Sequence, residues 1–387
     1  MARSRLPFAD EIFCDGGPEK NLTGVKDLLI SRDAASEAGD RRVYLSYATQ
    51  LNPGCLVLKL VRFDIRLAGK IVVREKHDLF KSDCAPDPPT YTEVGGALAE
   101  TPTHLYFSVG DFGHGRARPS DTNLCSIHRL LKAPGDEQPV QFAIGLRNAE
   151  GLAVVPASTG EPTLFASDMG PRGGDEINVV TEGDDFGYSD TSYGLTYDHN
   201  TADDYAGPWD DHANGKEPAY VFMPAVAPTD IVAYEGDMFR NWRGSLLMTT
   251  LRAQTLYRIR LKDTRVVYAE PIADLGERMR FVRLAPDGSV YVKADPDRFI
   301  RVHRPIGAKP LPIAVSQLVQ SKGCLNCHDP GGAGSAPSLR GKDPTVIYQN
   351  LNHFAAGSRP NPTMNKIAAA LSYDERRAVA DYLATAR

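Results

Sequence analysis

The sequence predicts a mainly β domain followed by a small all-α domain. Three observations support this prediction. Residues 42–303 read as short segments rich in β-branched and aromatic residues, separated by Gly, Pro, Asp and Asn. Residues 304–315 contain three prolines, which is typical of a linker. Beyond them, apolar residues recur at three- and four-residue spacing, which indicates helices.

The strand-like segments leave the β architecture open. They include RVYLSYA, CLVLKLVRFDI, HLYFSVGD, TLFASDMG, GSLLMTTL, TLYRIRL and GSVYVKA. Many short strands without a long helical segment favour a propeller, a barrel or a sandwich. No strict repeat decides among the three.

Two segments near the C-terminus predict helices, residues 344–357 and 371–387. Ser372 and Glu375 have the spacing of a capping box at the start of the second helix. The residues predicted for its inner face are Ala378, Val379, Tyr382 and Leu383.

Composition excludes several classes of protein. The 387 residues are 42% hydrophobic and 24% charged, with a net charge of −5, which argues against nucleic acid as the main partner. No segment approaches the ~20 apolar residues that a membrane helix needs. The first residues also contain no apolar core of signal-peptide length.

The motif Cys324-Leu-Asn-Cys327-His328 carries the clearest chemistry. C-x-x-C-H is the attachment signature of c-type heme, in which both thiols bind the heme covalently and the histidine ligates iron. Zinc is the main alternative, but it prefers four ligands and no cysteine follows Cys327. A thioredoxin-like redox pair would need a βαβ context that the pattern lacks.

Met364 is the predicted sixth iron ligand, because it is the only methionine after the motif. It lies in a Pro- and Asn-rich segment that we expect to be a loop, and it resembles the axial methionine of class I cytochromes c. His353 is the alternative, but it falls within a predicted helix. Ligation by His and Met raises the reduction potential, which suits electron transfer.

Two segments carry a more specific resemblance, GLRNAEGLAV (145–154) and DMGPRGGDEINVVTEGDDFGY (168–188). They resemble the signatures of soluble glucose/sorbosone dehydrogenases, also called aldose sugar dehydrogenases, over roughly residues 20–303. The resemblance implies a six-bladed β-propeller with pyrroloquinoline quinone (PQQ) and calcium. The expected domains are a propeller at 1–305, a linker at 306–314 and a class I cytochrome c domain at 315–387.

The resemblance also implies a set of cofactor-binding residues. PQQ is a planar tricarboxylate, and arginine offers planar, permanently charged forks for carboxylates. The positions that match the family's PQQ contacts are Arg147, Asn148, Arg252, Arg278 and Arg280. The carbonyl oxygens of Gly170 and Pro171 would bind calcium, which prefers oxygen ligands. Asp175 and Glu176 would support that loop.

Glu93 is the main departure from the family pattern. The family's catalytic base is a histidine two residues before a Gly-Gly pair, and here TEVGGAL places Glu93 at that position. A buried carboxylate can also act as a base, so we predict Glu93 as the catalytic residue. His104 and His114 lie nearby in sequence, but neither matches the motif.

Two further features concern the fold. Only about twenty residues precede the segment NLTGVKDLLIS, where the resemblance implies roughly fifty or more for a first blade. We therefore expect part of the first blade to be missing, rebuilt from elsewhere or supplied by another chain. Cysteines 14, 55, 84 and 125 predict two disulfides in an exported protein, and we favour Cys84–Cys125 and Cys14–Cys55. Buried free thiols are the alternative.

These features predict a dehydrogenase of a sugar or another alcohol or aldehyde that reduces its own heme. An external cytochrome or respiratory complex would be its electron acceptor. Heme c is attached outside the cytoplasm, so a periplasmic protein is expected, with a signal peptide missing from this sequence. The alternative is an inactive propeller that serves as a scaffold for an electron-carrying cytochrome.

Overall fold

A computed structural model describes most of the chain. The described residues are 24–33, 40–52, 54–67, 71–85, 93–113, 122–133, 135, 137–157, 160–194, 212, 215–303, 315–328 and 336–385. The chain divides into two compact units, residues 1–303 and residues 304–387. The linker predicted at 306–314 lies outside the described residues.

The described part of the first unit forms five antiparallel sheets. The first sheet contains β1 (Gly24–Ile30), β2 (Arg41–Asn52), β3 (Cys55–Leu67) and β4 (Ile71–Lys81). The second contains β5 (Gly95–Glu100), β6 (His104–Val109), β7 (Ser126–Leu131) and β8 (Val140–Ile144). The third contains β9 (Ala149–Val155), β10 (Thr163–Asp168), β11 (Asp175–Val180) and β12 (Tyr220–Phe222).

The last two sheets follow the same order. The fourth contains β13 (Pro228–Tyr234), β14 (Ser245–Thr250), β15 (Thr255–Lys262) and β16 (Arg265–Asp274), with a short 3-10 helix at Arg240–Trp242. The fifth contains β17 (Met279–Leu284), β18 (Val290–Ala294) and β19 (Arg298–Val302). In each sheet, strands that are consecutive in sequence are paired. This meander order is that of propeller blades.

The prediction of a mainly β propeller is confirmed, but the prediction of six blades is wrong. The described residues form five sheets. The first described sheet has four strands, and the three-stranded sheet is the fifth. The blade predicted to be incomplete would precede β1, in residues 1–23, which lie outside the described residues. The strands between Gly24 and Val302 supply five sheets, one fewer than predicted.

The first strands of successive sheets contact one another in the order β1, β5, β9, β13 and β17 around the centre of the propeller. Asp27 on β1 accepts a hydrogen bond from the backbone N–H of Leu98 on β5. Asp230 on β13 accepts one from Val282 on β17 in the same way. Arg283 on β17 donates to both aspartates, so it joins the fifth sheet to the first and to the fourth. This guanidinium therefore closes the ring.

Apolar side chains fill the space between neighbouring sheets. Between the first and second sheets, the core includes Tyr44, Leu58, Phe107 and Leu130, all almost completely buried. Further clusters pack the second sheet on the third, and the third on the fourth. A cluster that contains Tyr234 and Val290 packs the fourth sheet on the fifth. Sheet-to-sheet packing therefore provides most of the core.

The predicted disulfide pairs are wrong. Cys55 at the start of β3 is bonded to Cys84, with 4.9 Å between their Cα atoms. The segment after β4 runs beside the start of β3, where Ala85 donates its N–H to the carbonyl of Leu56. That pairing brings the two cysteines together. Cys125 is a buried free thiol, and burial raises its pKa well above the usual value. Cys14 lies outside the described residues.

The second unit is helical, as predicted. Its helices are α1 (Val315–Ser321), α2 (Cys324–Cys327), α3 (Pro344–Ala355), α4 (Pro362–Ala369) and α5 (Tyr373–Thr385). Asp343 caps α3, since its side chain accepts the N–H of Thr345. Among the described residues, the structure contains no helix of the length and apolarity required to span a membrane.

The predicted capping box at α5 is confirmed. Ser372 donates its N–H to Glu375 Oε2 over 2.7 Å, and Glu375 donates its N–H to Ser372 Oγ over 3.2 Å. On the inner face of this helix, Val379 and Leu383 are buried as predicted. Ala380 is also completely buried, whereas the neighbouring Ala378, which the pattern placed inside, is only partly covered.

Replacing Arg283 by methionine should destabilise the propeller. The variant leaves Asp27 and Asp230 buried without a counter-charge. We expect the free energy of unfolding to fall by about 2 kcal/mol, less than for a fully buried pair because the Arg283 side chain is 46% exposed. Urea unfolding measures this loss. Arg243→Met, which removes an exposed surface ion pair with Asp237, is the control. Equal losses in the two variants would show that Arg283 does not close the ring.

Candidate functional site

Arg147 is the centre of the candidate site. Its side chain is buried, and Nη2 lies 3.4 Å from Glu93 Oε1. Nη1 donates to the carbonyl oxygens of Met169, over 3.1 Å, and Gly170, over 3.2 Å. Nε lies 3.7 Å from Asp111 Oδ2. One guanidinium therefore connects the predicted base to the predicted calcium ligand Gly170.

Glu93 is held at the start of β5. Its carbonyl oxygen accepts the N–H of Phe112. Gly95 follows with a φ of +68°, and a Cβ at that position would lie 2.9 Å from the backbone nitrogen of Gly110. Glu93 Oε2 is buried and makes no hydrogen bond to the described part of the chain. This oxygen is therefore available to accept a proton or a hydrogen bond from a ligand.

Asp168, at the end of β10, holds Arg147 and Asn148 in place. Its two oxygens accept the backbone N–H groups of these residues over 2.9 and 2.6 Å. Burial and the nearby charge of Glu176 raise the pKa of Asp168 to about 7, although the two backbone hydrogen bonds lower it. Asp168 is the first residue of one of the recognised segments, but its role was not predicted from the sequence.

The Gly170–Pro171 loop is anchored to the next sheet by Asp175. The Asp175 carboxylate accepts the N–H groups of Val226 and Ala227 over 2.7 and 2.6 Å. Burial raises its pKa to about 6, against the effect of these hydrogen bonds. The structure thus places Asp175 where it supports the loop, as the sequence suggested.

The remaining predicted arginines have partners other than those of Arg147. Arg280 Nη2 lies 2.9 Å from Asp295 Oδ2, and Arg278 Nε lies 3.5 Å from the same oxygen. Both arginine side chains are about half exposed. The Arg252 side chain is exposed, and its backbone N–H donates to Val226, next to the anchored loop. Asp295 thus brings Arg278 and Arg280 together, whereas Arg252 lies beside Val226.

A polar cavity of about 10 Å³ lies behind the loop, which is room for about one water molecule. His212 and Glu176 line it, with His212 Nε2 3.4 Å from Glu176 Oε1. Tyr193 stacks on the imidazole ring at 4.8 Å. Burial lowers the pKa of His212, but the contact with Glu176 outweighs it, so the pKa lies above the usual value.

The sequence did not reveal several of these partners. Asp111, which accepts the hydroxyl of Tyr188 over 2.7 Å, and His212 carry no motif of their own. Of the alternative bases, His104 is on β6 and contacts Thr103 rather than the Glu93 cluster. His114 lies outside the described residues. In the described chain, no three His, Cys, Asp or Glu side chains converge on a metal site.

The C-x-x-C-H motif has a geometry that fits heme c. Cys324 and Cys327 are the first and last residues of α2, and both are free thiols. His328 Nδ1 lies 2.8 Å from the carbonyl oxygen of Pro337. A carbonyl can only accept, so Nδ1 carries the proton and Nε2 keeps its lone pair for a metal. This orientation is the one that an iron-binding histidine needs.

Met364 lies in a helix rather than in the predicted loop. It is the third residue of α4, where Asn361 caps the helix by accepting the Met364 N–H over 2.9 Å. The Asn-Pro sequence that suggested a loop is a helix start. The Met364 side chain packs against the hydrophobic cluster that contains Cys324. His353, the alternative ligand, is exposed on α3.

The site and the fold can now be compared with known proteins. The glucose/sorbosone dehydrogenase family matches residues 18–301. The chain belongs to the glucose/sorbosone dehydrogenase family. It is 31% identical to an uncharacterized Synechocystis protein, slr1608, over 54% of the chain and 51% of that protein. It is 28% identical to the aldose sugar dehydrogenase YliI of Escherichia coli, over 70% of the chain and 74% of YliI.

Other similarities are shorter. Quinoprotein glucose dehydrogenase B of Acinetobacter calcoaceticus is 26% identical, over 40% of the chain and 42% of its own length. The C-terminal part is 42% identical to a thiosulfate dehydrogenase electron acceptor of Stutzerimonas stutzeri, over 16% of the chain and 31% of that protein. The chain thus spans about half or less of several relatives. A solved glucose dehydrogenase superposes with a TM-score of 0.61 at 25% identity, over 74% of the chain and 84% of that structure.

The donor set of this family member fits a planar polycarboxylate. Arg278 and Arg280 keep exposed guanidinium surface, which can form paired hydrogen bonds with carboxylates. The carbonyl oxygen of Gly170 accepts one hydrogen bond from Arg147 and retains a second lone pair for a cation. Two carboxylates oppose an anion, Glu93, whose counter-charge is Arg147, and Asp295, which pairs with Arg278 and Arg280.

Replacing His212 by glutamine should cost more stability at low pH than at high pH. The folded pKa of His212 exceeds the unfolded value, so the ion pair with Glu176 contributes fully below about pH 6.5. This contribution is lost as the pH rises through the folded pKa. Urea unfolding at about pH 6 and about pH 9 measures the difference. His77→Gln, at an exposed position of β4, is the control. A loss that does not change with pH would contradict the ion pair.

Heme should be attached through Cys324 and Cys327, with His328 and Met364 as axial ligands. The pyridine hemochrome spectrum should show the c-type band, and Cys324→Ser should change it. The ferric protein should show the weak long-wavelength band of an iron–methionine bond. Met364→Ala should abolish that band without detaching heme, whereas His353→Ala should leave the spectrum unchanged. A band that survives in Met364→Ala would exclude this ligand.

Proposed function

We propose that the chain is a dehydrogenase of a sugar or another alcohol or aldehyde that uses PQQ and calcium and passes electrons to its own heme c. The observation that carries the proposal is the position of Arg147. It contacts Glu93, the predicted base, and the carbonyl of Gly170, the predicted calcium ligand. Relatives named aldose sugar dehydrogenase and quinoprotein glucose dehydrogenase support the same chemistry.

Oxidation of an alcohol to a carbonyl removes a hydride and a proton. When bound, PQQ would supply the acceptor for the hydride. Glu93 takes the hydroxyl proton through Oε2, the oxygen without a partner among the described residues. Arg147 holds the other oxygen and compensates the charge of the carboxylate. Asp168 keeps Arg147 in position through the backbone hydrogen bond that it accepts.

The exposed arginines and the Gly170–Pro171 loop would bind the cofactors. Arg280 and Arg278 would hold carboxylates of PQQ. Asn148 would form a hydrogen bond with the edge of the PQQ ring system. The carbonyls of Gly170 and Pro171 would hold calcium. Asp175 fixes the loop by two backbone hydrogen bonds, so these carbonyls are oriented before any ligand arrives.

The C-terminal unit would carry the electrons onward. Heme c supplies a one-electron carrier, and a two-electron oxidation would reduce it in two steps. His328 and Met364 would ligate iron, a pair that raises the potential. The acceptor would be an external cytochrome or a respiratory complex. The Cys55–Cys84 disulfide supports an oxidising compartment such as the periplasm.

Two observations favour a second function. The described chain forms five sheets, and Glu93 replaces the family's histidine. Both features would suit a propeller that has lost catalysis and serves as a scaffold for the cytochrome. The two functions differ in whether PQQ binds and in whether a sugar reduces the heme.

Binding of PQQ tests the proposal. The purified heme protein, titrated with PQQ in the presence of calcium, should bind it saturably, and aldoses should then reduce the heme. Arg280→Ala should weaken PQQ binding by about 10- to 150-fold, since a hydrogen bond to a charged group contributes about 1.5–3 kcal/mol. Calcium chelation should also weaken it.

Arg298→Ala is the matched control, because Arg298 pairs with Glu277 at the surface of β19. It should bind PQQ like the wild type. If the wild type neither binds PQQ nor transfers electrons from any sugar or alcohol to heme, the dehydrogenase is excluded and the scaffold remains.

A further inference from the structure

The side-chain amide of Asn148 has a hydrogen-bond partner at each end. Its oxygen Oδ1 accepts the backbone N–H of Gly95 over 3.0 Å, and its nitrogen Nδ2 donates to Glu150 Oε1 over 3.0 Å. The backbone N–H of Asn148 donates to Asp168 Oδ1 over 2.6 Å. Because only 1% of Asn148 is exposed, these three contacts determine where its amide group points.

The chemistry of the two partners decides how the amide is oriented. A backbone N–H can only donate, so Gly95 requires the oxygen of Asn148. A carboxylate can only accept, so Glu150 requires the nitrogen. Turning the amide by half a rotation would lose both hydrogen bonds, and it would place acceptor against acceptor and donor against donor. Asn148 therefore keeps a single orientation.

The strand that carries Gly95 is held in place independently of Glu150. Ser108 Oγ, on β6, accepts two backbone N–H groups of β5, each over 3.0 Å. The same hydroxyl donates to the carbonyl oxygen of Ala149 on β9 over 2.6 Å. Ser108 thus fastens β5 to β9 beside the Asn148 contact. A change at Glu150 therefore leaves the N–H of Gly95 where it is, still facing residue 148.

One N–H of the Asn148 amide remains for a ligand. An amide nitrogen carries two hydrogens, and within the described part of the chain only the hydrogen toward Glu150 has a partner. Buried donors are nearly always paired, so the second N–H suits an acceptor on a bound molecule. PQQ carries carboxylate and carbonyl oxygens at its edge, and both are acceptors. The orientation that Glu150 imposes therefore matches this cofactor.

We propose that Glu150 is a positioning residue that holds Asn148 as a hydrogen-bond donor to the acceptor oxygens of PQQ. The proposal rests on the dehydrogenase function above, and it adds a residue that the family resemblance does not place in the cofactor-binding set. Glu150 acts through Asn148 and does not itself touch the cofactor. Any side chain with a suitably placed acceptor oxygen can fill this role, so glutamine should replace glutamate and methionine should not.

Urea unfolding of the heme protein tests the hydrogen bonds without PQQ. Asn148→Asp sets two carboxylates against each other and should lower the unfolding midpoint by about 0.5 M. Glu150→Gln keeps an acceptor and should leave the midpoint unchanged. The double variant reverses the hydrogen bond, since the new glutamine donates to the new aspartate, and should recover the wild-type midpoint. Glu161→Gln, at an exposed position before β10, is the control. If Asn148→Asp lowers the midpoint equally with and without Glu150→Gln, the two side chains are not in contact.

Titration of the heme protein with PQQ in the presence of calcium tests the direction of the hydrogen bond. The double variant has the same net charge as the wild type, but residue 148 now presents an acceptor instead of a donor. It should bind PQQ about tenfold more weakly although its stability is restored. Glu150→Gln should bind PQQ like the wild type, and Glu150→Met should bind it more weakly. Wild-type affinity in the double variant would overturn the donor role.

The two measurements separate this proposal from the proposed function. A wild type that binds PQQ, with no recovery of the midpoint in the double variant, would overturn the role of Glu150 alone. A wild type that binds no PQQ, although the double variant does recover the midpoint, would overturn the dehydrogenase function and the donor role with it.

Discussion

The bridge that Arg283 makes between Asp27 and Asp230 is the constraint on which the propeller depends. Apolar clusters join each of the first four sheets to the next. Between the fifth sheet and the first, by contrast, Val25, Leu28 and Phe299 are exposed and line a cavity of about 410 Å³. Arg283 therefore links these two sheets by a charged hydrogen bond rather than by an apolar core.

The candidate site is built from ends of inner strands that belong to different sheets. Glu93 lies just before the first strand of the second sheet, and Arg147 and Asn148 directly precede the first strand of the third. Such a site tolerates changes of chemistry without changes of fold. Glutamate in place of histidine is one such change, and Arg147 compensates it by supplying a counter-charge. Asp168 and Asp175 add rigidity, since each accepts two backbone N–H groups at the recognised segments.

In the proposed function, the two units handle different numbers of electrons. The propeller would remove two electrons from an organic substrate, and the helical unit would carry one at a time. The second unit orients its histidine in advance, because the Pro337 carbonyl fixes the proton on His328 Nδ1. The Asn361 cap likewise holds the first turn of the helix that carries Met364. Both predicted iron ligands are thus held by hydrogen bonds that do not require the cofactor.

The sequence by itself determined what depends on residues close together in the chain. The sequence alone was enough to identify the C-x-x-C-H spacing, the capping box of Ser372 and Glu375, the strand segments and the family segments around Arg147. Tertiary structure decided what depends on distant pairs: five sheets instead of six, Cys55 bonded to Cys84, and Glu93 joined to Arg147. The helix at Met364 was also missed, because Asn-Pro can open either a loop or a helix. The spacing of residues within one segment is visible in the sequence, whereas contacts between sheets depend on how the whole chain packs.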